Sequence, residues 1–240
     1  MQQIQERIGQ LEQRKLGSWL PDAGVGCPCR YRMSETNNTD LLAWQEHGAV
    51  RFLREVGVRA GQVVLDFGCG QGAYSRPAAQ IVGARGTVYA LDKNPSALDA
   101  LVREATEEGL TNIRRLDTAG AMPLPLDDTS VDVVLLYDVL HLVGSQGPGE
   151  KANHSTAADR RGLLKEVHRV LKPAGLVSAH CPHLATHTDV ESERDIAEEF
   201  TTEGFAVEKS FRAELRHDNG IAQGHVLNFV RDSDGGRGAC

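Results

Sequence analysis

The stretch Val63-Val64-Leu65-Asp66-Phe67-Gly68-Cys69-Gly70-Gln71-Gly72-Ala73-Tyr74 constrains this chain more than any other part of it. An apolar run of strand length breaks into three glycines at alternate positions, and a helix-like segment, 74–82, follows. Strand, tight turn and helix start are the implied order. Glycine suits such a turn because the backbone there takes positive φ, or lies so close to a ligand that a Cβ would collide with it. The unpaired N–H groups and partial positive charge of a helix start favour a hydrogen-accepting or anionic group nearby. A nucleotide-like ligand is therefore expected at the turn.

The rest of the chain is read around that turn. Apolar residues between 40 and 56 predict one or two helices, broken near Gly48. Strands are predicted over 63–67, 87–91, 112–116, 131–137 and 176–180, with helices over 74–82, 95–108, 160–171 and 190–203 between and after them. Asn94 is the expected N-cap of the second of these helices, with Pro95 at its first position. Such alternation predicts right-handed crossovers and a doubly wound α/β fold on a mostly parallel seven-stranded sheet. Two further strands, 206–215 and 222–231, flank Asp218-Asn219-Gly220, a hairpin turn signal, so the sheet is expected to end antiparallel. The polar segment 144–159 reads as a mobile surface loop able to serve as a lid.

With 240 residues the chain suits one domain of this kind. The expected layout is an extension over 1–36 with a short amphipathic helix, a domain over 37–231, and a disordered Gly-rich tail over 232–240. Residues 1–32 are expected to be dispensable, and the amphipathic segment reads as a cap on the domain, a pairing element of a homodimer or a frayed end. A formal charge of −7 gives no electrostatic reason to seek nucleic acid, so a small-molecule partner is expected. The five cysteines form no regular framework, and one lies inside the glycine turn, which points to a reducing, cytoplasmic setting. No apolar run approaches bilayer length, so no membrane partner is expected.

The turn alone fits both a Gly68-x-Gly70-x-Gly72 pattern and the dinucleotide pattern Gly68-x-Gly70-x-x-Ala73. Asp92, closing the second strand, stands where a carboxylate accepts both ribose hydroxyls, which suits NAD and other adenosine ligands alike. Asp66 separates the readings. A carboxylate at the end of the first strand repels a pyrophosphate and attracts an ammonium or sulfonium. S-adenosylmethionine carries both cations, and Asp117 and Thr118, after the third strand, are placed to accept from an adenine amino group and to face a ring nitrogen.

At this point the chain resembles the class I S-adenosylmethionine-dependent methyltransferases, in particular the ubiquinone/menaquinone-biosynthesis and small-molecule group. The resemblance spans roughly 53–177 and rests on Val64 to Gly72, on Ala90-Leu91-Asp92, on Leu116 to Leu126, on Val131-Asp132-Val133-Val134 and on Leu164 to Gly175. It implies methyl transfer from S-adenosylmethionine, with Asp66, Gly68, Cys69, Gly70 and Gly72 around the methionine portion. It further implies Asp92 at the ribose and Asp117 at adenine, with Lys93, Thr118 and Tyr137 among the cofactor-binding residues. Thr118 and Val131 depart from the commoner residues, and the insert at 144–159 is longer than usual, which puts the acceptor pocket in question rather than the cofactor site. An NAD(P)-dependent oxidoreductase and a non-catalytic cofactor-binding protein are the competing readings.

Ligands of open α/β sheets lie beyond the carboxyl ends of the strands. Tyr137, Asp138 and His141 follow the fourth strand and are the catalytic candidates to orient or deprotonate an acceptor. The alternative is that Tyr137 packs on the cofactor, Asp138 caps a helix and His141 is structural. Methyl transfer is helped mainly by proximity and orientation, so a dedicated base is not obligatory. His180, Cys181, His183 and His187 match no established zinc spacing and are expected to line the acceptor pocket or a plain loop, with no metal site. Trp44 reads as core, and Asp132 as a residue of local structure.

Overall fold

The computed structural model describes residues 41, 43–118, 122–144, 155–184, 188, 190, 192–217 and 220–232. The expected extension 1–36, most of the 144–159 insert, His187 and the tail beyond Asp232 lie outside the described residues.

The fold begins with a π turn, Trp44–Gly48, that runs on into helix α1, Ala49–Val56. Gly48 does not break the helix. A Cβ there would sit 2.7 Å from the Trp44 ring, so glycine is what lets the indole fold back against its own helix. Then come β1 (Val63–Phe67), α2 (Ser75–Val82), β2 (Thr87–Leu91), α3 (Pro95–Glu107), β3 (Ile113–Leu116) and β4 (Val131–Tyr137). The chain ends with α4 (Ala157–Val170), β5 (Leu171–His180), α5 (Glu193–Thr202), β6 (Phe205–His217) and β7 (Gly220–Arg231).

The seven strands form one sheet in the order β3-β2-β1-β4-β5-β7-β6. Pairings from β3 across to β5 are parallel, and both pairings of β7 are antiparallel. The sheet is thus the mostly parallel, seven-stranded one with a terminal antiparallel hairpin that the sequence predicts. Strand order reverses between β1 and β4, and that switch point is where such sheets open a crevice. The central strands are fully buried apolar segments: Val64, Leu65, Val133, Val134, Leu135 and Leu136 are shut off from solvent. That is the signature of a parallel sheet covered on both faces.

Local chemistry sets the helix starts. Asn94 accepts the Ser96 amide at the head of α3, with Pro95 behind it. Thr156 with Asp159, and Ser192 with Asp195, form reciprocal capping boxes for α4 and α5. The first of these moves the α4 start to Ala157, where the sequence reading had a loop as far as Asp159. Strand β5 likewise begins at Leu171 rather than Leu176. Its Leu171 pairs with Val131, the register then shifts, and Pro173 and Ala174 are exposed where it does so. The hairpin strands are longer than expected and reach His217 and Gly220. Asp132 does serve local structure: it accepts the Val63 amide (2.7 Å) and the Lys172 ammonium (2.8 Å), tying β4 to β1 and β5.

Candidate functional site

The glycine turn follows β1 and leads into α2, as the residues require. Gly68, Gly70 and Gly72 all hold positive φ, at 80°, 52° and 85°. Their surroundings differ. A Cβ on Gly68 would meet Val139 at 2.5 Å, and one on Gly72 would meet Leu101 at 2.1 Å, so these two are glycine because the protein itself crowds them. At Gly70 a Cβ would meet nothing within 4 Å among the described residues, so among these this residue alone of the three faces open space. The turn is tied to the neighbouring strand: the Gly68 and Cys69 amides both donate to the Leu91 carbonyl, at 2.8 and 3.0 Å. Cys69 turns its thiol inward, against Ala90, Leu98 and Leu101, and burial raises the pKa of that thiol.

Asp66 is 2% exposed and accepts a 2.6 Å hydrogen bond from the Ser75 hydroxyl. Burial pushes its carboxyl up to about 7, against the Ser75 hydrogen bond and with a further upward push from Asp92. Among the described residues no cationic side chain pairs with it. The site therefore holds a buried acid that a positively charged ligand would satisfy. Asp92, half-buried, accepts the Gly70 amide (2.7 Å) through one oxygen and the Asn94 amide (2.8 Å) through the other. Both bonds are charge-assisted and fix the carboxylate, and each oxygen keeps a lone pair for a second donor. Lys93 beside it is exposed.

Asp66, Gly68, Gly70 and Asp92 are thus brought together. Asp117 and Thr118 stand at the carboxyl end of β3, two strands from β1; Asp117 is exposed and accepts from Arg115 Nε at 2.5 Å. The segment after β3 is held by two residues that the sequence reading quoted without a role. Arg169 donates to the Leu124 and Leu126 carbonyls, and Glu166 accepts the Leu124 amide while pairing with Arg169. Both side chains come from α4, so this helix sets where Leu124 and Leu126 lie.

The fourth-strand candidates separate. Tyr137 is buried among Phe52 and Tyr74, and its hydroxyl donates to Ser178 at 2.8 Å. Burial raises its pKa, and its proton is committed to Ser178. Trp44 joins the same aromatic group and donates its indole N–H to the Glu214 carbonyl, as a core residue; His47 is exposed.

Asp138 leaves β4 in a left-handed conformation, φ 54°, with its amide on the His180 carbonyl. Its carboxylate gathers three imidazoles. His183 Nδ1 lies 2.9 Å from one oxygen and 3.1 Å from the other, His217 Nδ1 lies 3.4 Å away, and His141 Nδ1 lies 3.6 Å away. Burial works to raise the Asp138 pKa, but His217, His183 and His141 together outweigh it and hold the carboxyl below its ordinary value. His180 belongs elsewhere: buried, with Nδ1 on the His225 carbonyl, it is held neutral by burial at a pKa of about 4. The free thiol of Cys181 is likewise raised by burial.

His217 was absent from the sequence reading. Strand β6 runs parallel to β5 because two antiparallel pairings separate them, so its last residue emerges at the same end of the sheet as Asp138. A hairpin ending at Leu215, as expected from the apolar pattern, hides that.

Residues 65–179 match the family model described as a methyltransferase domain. A demethylmenaquinone methyltransferase of Lactobacillus johnsonii is 32% identical over 143 residues, covering 60% of this chain and 53% of that protein. The aklanonic acid methyltransferase DauC of a Streptomyces species is 49% identical over 105 residues, covering 43% of this chain and 46% of that one. The chain spans about half the length of the curated relatives it matches. Among solved structures, an S-adenosylmethionine-dependent methyltransferase from Aquifex aeolicus superposes with a TM-score of 0.57 at 20% identity, over 82% of this chain and all of that one. The magnesium protoporphyrin IX methyltransferase of Synechocystis, solved with its cofactor, superposes at 0.54 and 18% identity, over 79% of each chain. The last two establish the fold, and over the matched segment the chain is similar to methyltransferases.

Proposed function

We propose that this chain moves the sulfonium methyl group of S-adenosylmethionine to a nucleophilic atom of a small molecule. The observation that carries the reading is Asp66, a buried carboxylate without a cationic partner among the described residues, beside a glycine turn whose open position is Gly70. A pyrophosphate would add negative charge to that acid, whereas a sulfonium or ammonium neutralises it. When bound, the cofactor supplies an electrophilic methyl: its S–CH3 bond breaks as the bond from acceptor to CH3 forms, leaving S-adenosylhomocysteine.

The residues that would hold it fit. Asp66 faces the cationic end, Gly70 leaves room for close approach, Asp92 keeps lone pairs for ribose hydroxyls, and Asp117 and Thr118 are the adenine-end groups. On the acceptor side, the Asp138 cluster lies at the carboxyl ends of β4 and β5, the end of the sheet from which an acceptor would approach the methyl group. Relatives named for demethylmenaquinone and aklanonic acid support a small organic acceptor, and the charge of −7 supports the absence of a nucleic-acid partner. No helix among the described residues is long and apolar enough to cross a membrane. The free, buried thiol of Cys69 supports a reducing, cytoplasmic setting. We extend the reading to a methyltransferase domain over 37–231 and to pairing of two copies through 1–20, which light scattering of the full chain tests.

Incubating the full chain with S-adenosylmethionine and a panel of quinols and aromatic polyketides tests the activity. The expected result is one S-adenosylhomocysteine released for each methylated product. Binding of the cofactor with no product from any acceptor class would refute a catalytic role.

A further inference from the structure

The Asp138 cluster is more than a set of acceptor-side polar groups. Its members come from three separate segments: Asp138 and His141 from the turn after β4, His183 from the turn after β5, and His217 from the end of β6. The rings of His141 and His183 lie 5.2 Å apart between centroids, and those of His183 and His217 lie 4.6 Å apart. Ligand-type atoms of Asp138, His183 and His217 all fall within 4.8 Å of one another.

The distances discriminate between two uses of such a cluster. A carboxylate that merely accepts imidazole N–H groups holds them at about 2.7–3.2 Å. Only His183 meets that; His217 at 3.4 Å and His141 at 3.6 Å lie beyond it. Nitrogen and oxygen ligands at about 2.0–2.1 Å from a tetrahedral ion stand roughly 3.3 Å from each other. The separations of the Asp138 carboxylate from His183 and His217, 2.9 and 3.4 Å, bracket that value. Two histidines and one carboxylate, converging from different loops, are also the protein ligand set of sites that keep a coordination position open.

We propose that Asp138, His183 and His217 bind one divalent transition-metal ion of the zinc type, with His141 as an outer partner of the Asp138 carboxylate. Imidazole with carboxylate suits zinc, iron and nickel, whereas calcium and magnesium prefer all-oxygen sets. The left-handed Asp138 backbone is part of the device, since it turns the carboxylate out of β4 toward the other two loops. The three residues lie at the carboxyl end of the sheet, so an ion held by them would offer its remaining position to an acceptor oxygen there. Only that last assignment rests on the methyltransferase reading; the binding of the ion stands on its own.

The test titrates zinc and cobalt into the full chain after chelator treatment, by calorimetry and absorption. The expected result is one equivalent of ion, with a tetrahedral cobalt spectrum that lacks a thiolate charge-transfer band. His183→Ala and Asp138→Asn are the variants, because His183 is only half-buried and asparagine tolerates the left-handed backbone. Loss of an outer partner alone lowers metal affinity about 10–100-fold, so either ligand change is expected to exceed about 100-fold. Circular dichroism checks that both variants fold. No binding by the parent chain, a thiolate spectrum, or affinity unchanged in both folded variants would overturn the proposal. Cofactor binding measured on the metal-free chain keeps the two readings apart: metal bound in full without any S-adenosylmethionine binding supports this site and overturns the proposed function.

Discussion

Replacing Asp66 by asparagine is expected to stabilise the ligand-free protein at pH 8 while destroying its grip on a cationic ligand. The folded-state carboxyl sits at about 7 against an ordinary 3.8 because burial penalises its charge. With the folded value above the unfolded one, the native state keeps a proton that the unfolded chain releases. Stability therefore falls as pH rises between the two values, and the full penalty is present above about 7. A displacement of about three pH units corresponds to about 4 kcal/mol. Asparagine keeps the shape and still accepts the Ser75 hydroxyl, but its buried amide N–H groups need partners, at a cost of about 1–3 kcal/mol. The net gain is about 1–3 kcal/mol at pH 8, and the variant gains nothing at pH 4, where the wild-type carboxyl is neutral as well. At an unfolding entropy of about 2.1 cal/mol/K per residue, that is a rise in melting temperature of about 2–6 °C. Parallel thermal melts of the two proteins at pH 4 and pH 8 read it. A variant that melts no higher at pH 8, or by the same increment at both pH values, would refute the claim that Asp66 is an unfavourably buried acid.

The three glycines give a second contrast. Gly72→Ala drives a Cβ into Leu101 at positive φ and should lower the melting temperature sharply, whereas Gly70→Ala should cost only the left-handed backbone, about 1–2 kcal/mol, and show its main effect as lost cofactor affinity in a binding titration. His180 controls part of the acid limb. Its folded value of about 4 lies below the ordinary 6.5, so stability is full above 6.5 and is lost as pH falls toward 4, by about 3 kcal/mol. His180→Gln keeps a donor for the His225 carbonyl without titrating, and denaturant unfolding at pH 7 and pH 4.5 should show a flatter pH dependence than the wild type. Arg160 is wholly buried, donating to Glu199 and to Ser155, whose hydroxyl in turn holds the Leu140 carbonyl. Arg160→Ala leaves Glu199 without its cation and frees the turn that carries His141; with Glu199 partly solvated, a loss of about 2–4 kcal/mol in urea unfolding is expected.

Much of this molecule was legible in the residues because its signals are local. The apolar run 63–67, the glycines after it and the Asn94-Pro95 cap each act within a few residues, and the structure returns those elements where they were read. Asp66 was legible for the same reason, as a charge at a strand end. The start of α4 was missed although Thr156 and Asp159 carry a capping box, because polar composition outweighed the spacing. The histidine cluster was illegible for a different reason. Its members lie 3, 45 and 79 positions from Asp138, and only the strand order and the antiparallel return of β7 bring them to one end of the sheet. Linear spacing sees local ligand pairs, so His183 was grouped with His180, a neighbour whose side chain turns to His225 instead. Glu166 and Arg169 were visible as a motif, but that they clamp Leu124 and Leu126 depends on where α4 packs.

On the proposed function, the buried Asp66 and the amide-tethered Asp92 together hold S-adenosylmethionine. Calorimetric titration of the full chain with S-adenosylmethionine, S-adenosylhomocysteine and NAD, alongside Asp92→Ala, tests it most directly. Saturable binding of both adenosyl compounds is expected, with none of NAD and a loss in the variant of about 1.5–3 kcal/mol for each charge-assisted bond to the ribose. Binding of NAD with neither adenosyl compound, or an Asp92→Ala affinity equal to wild type, would contradict it.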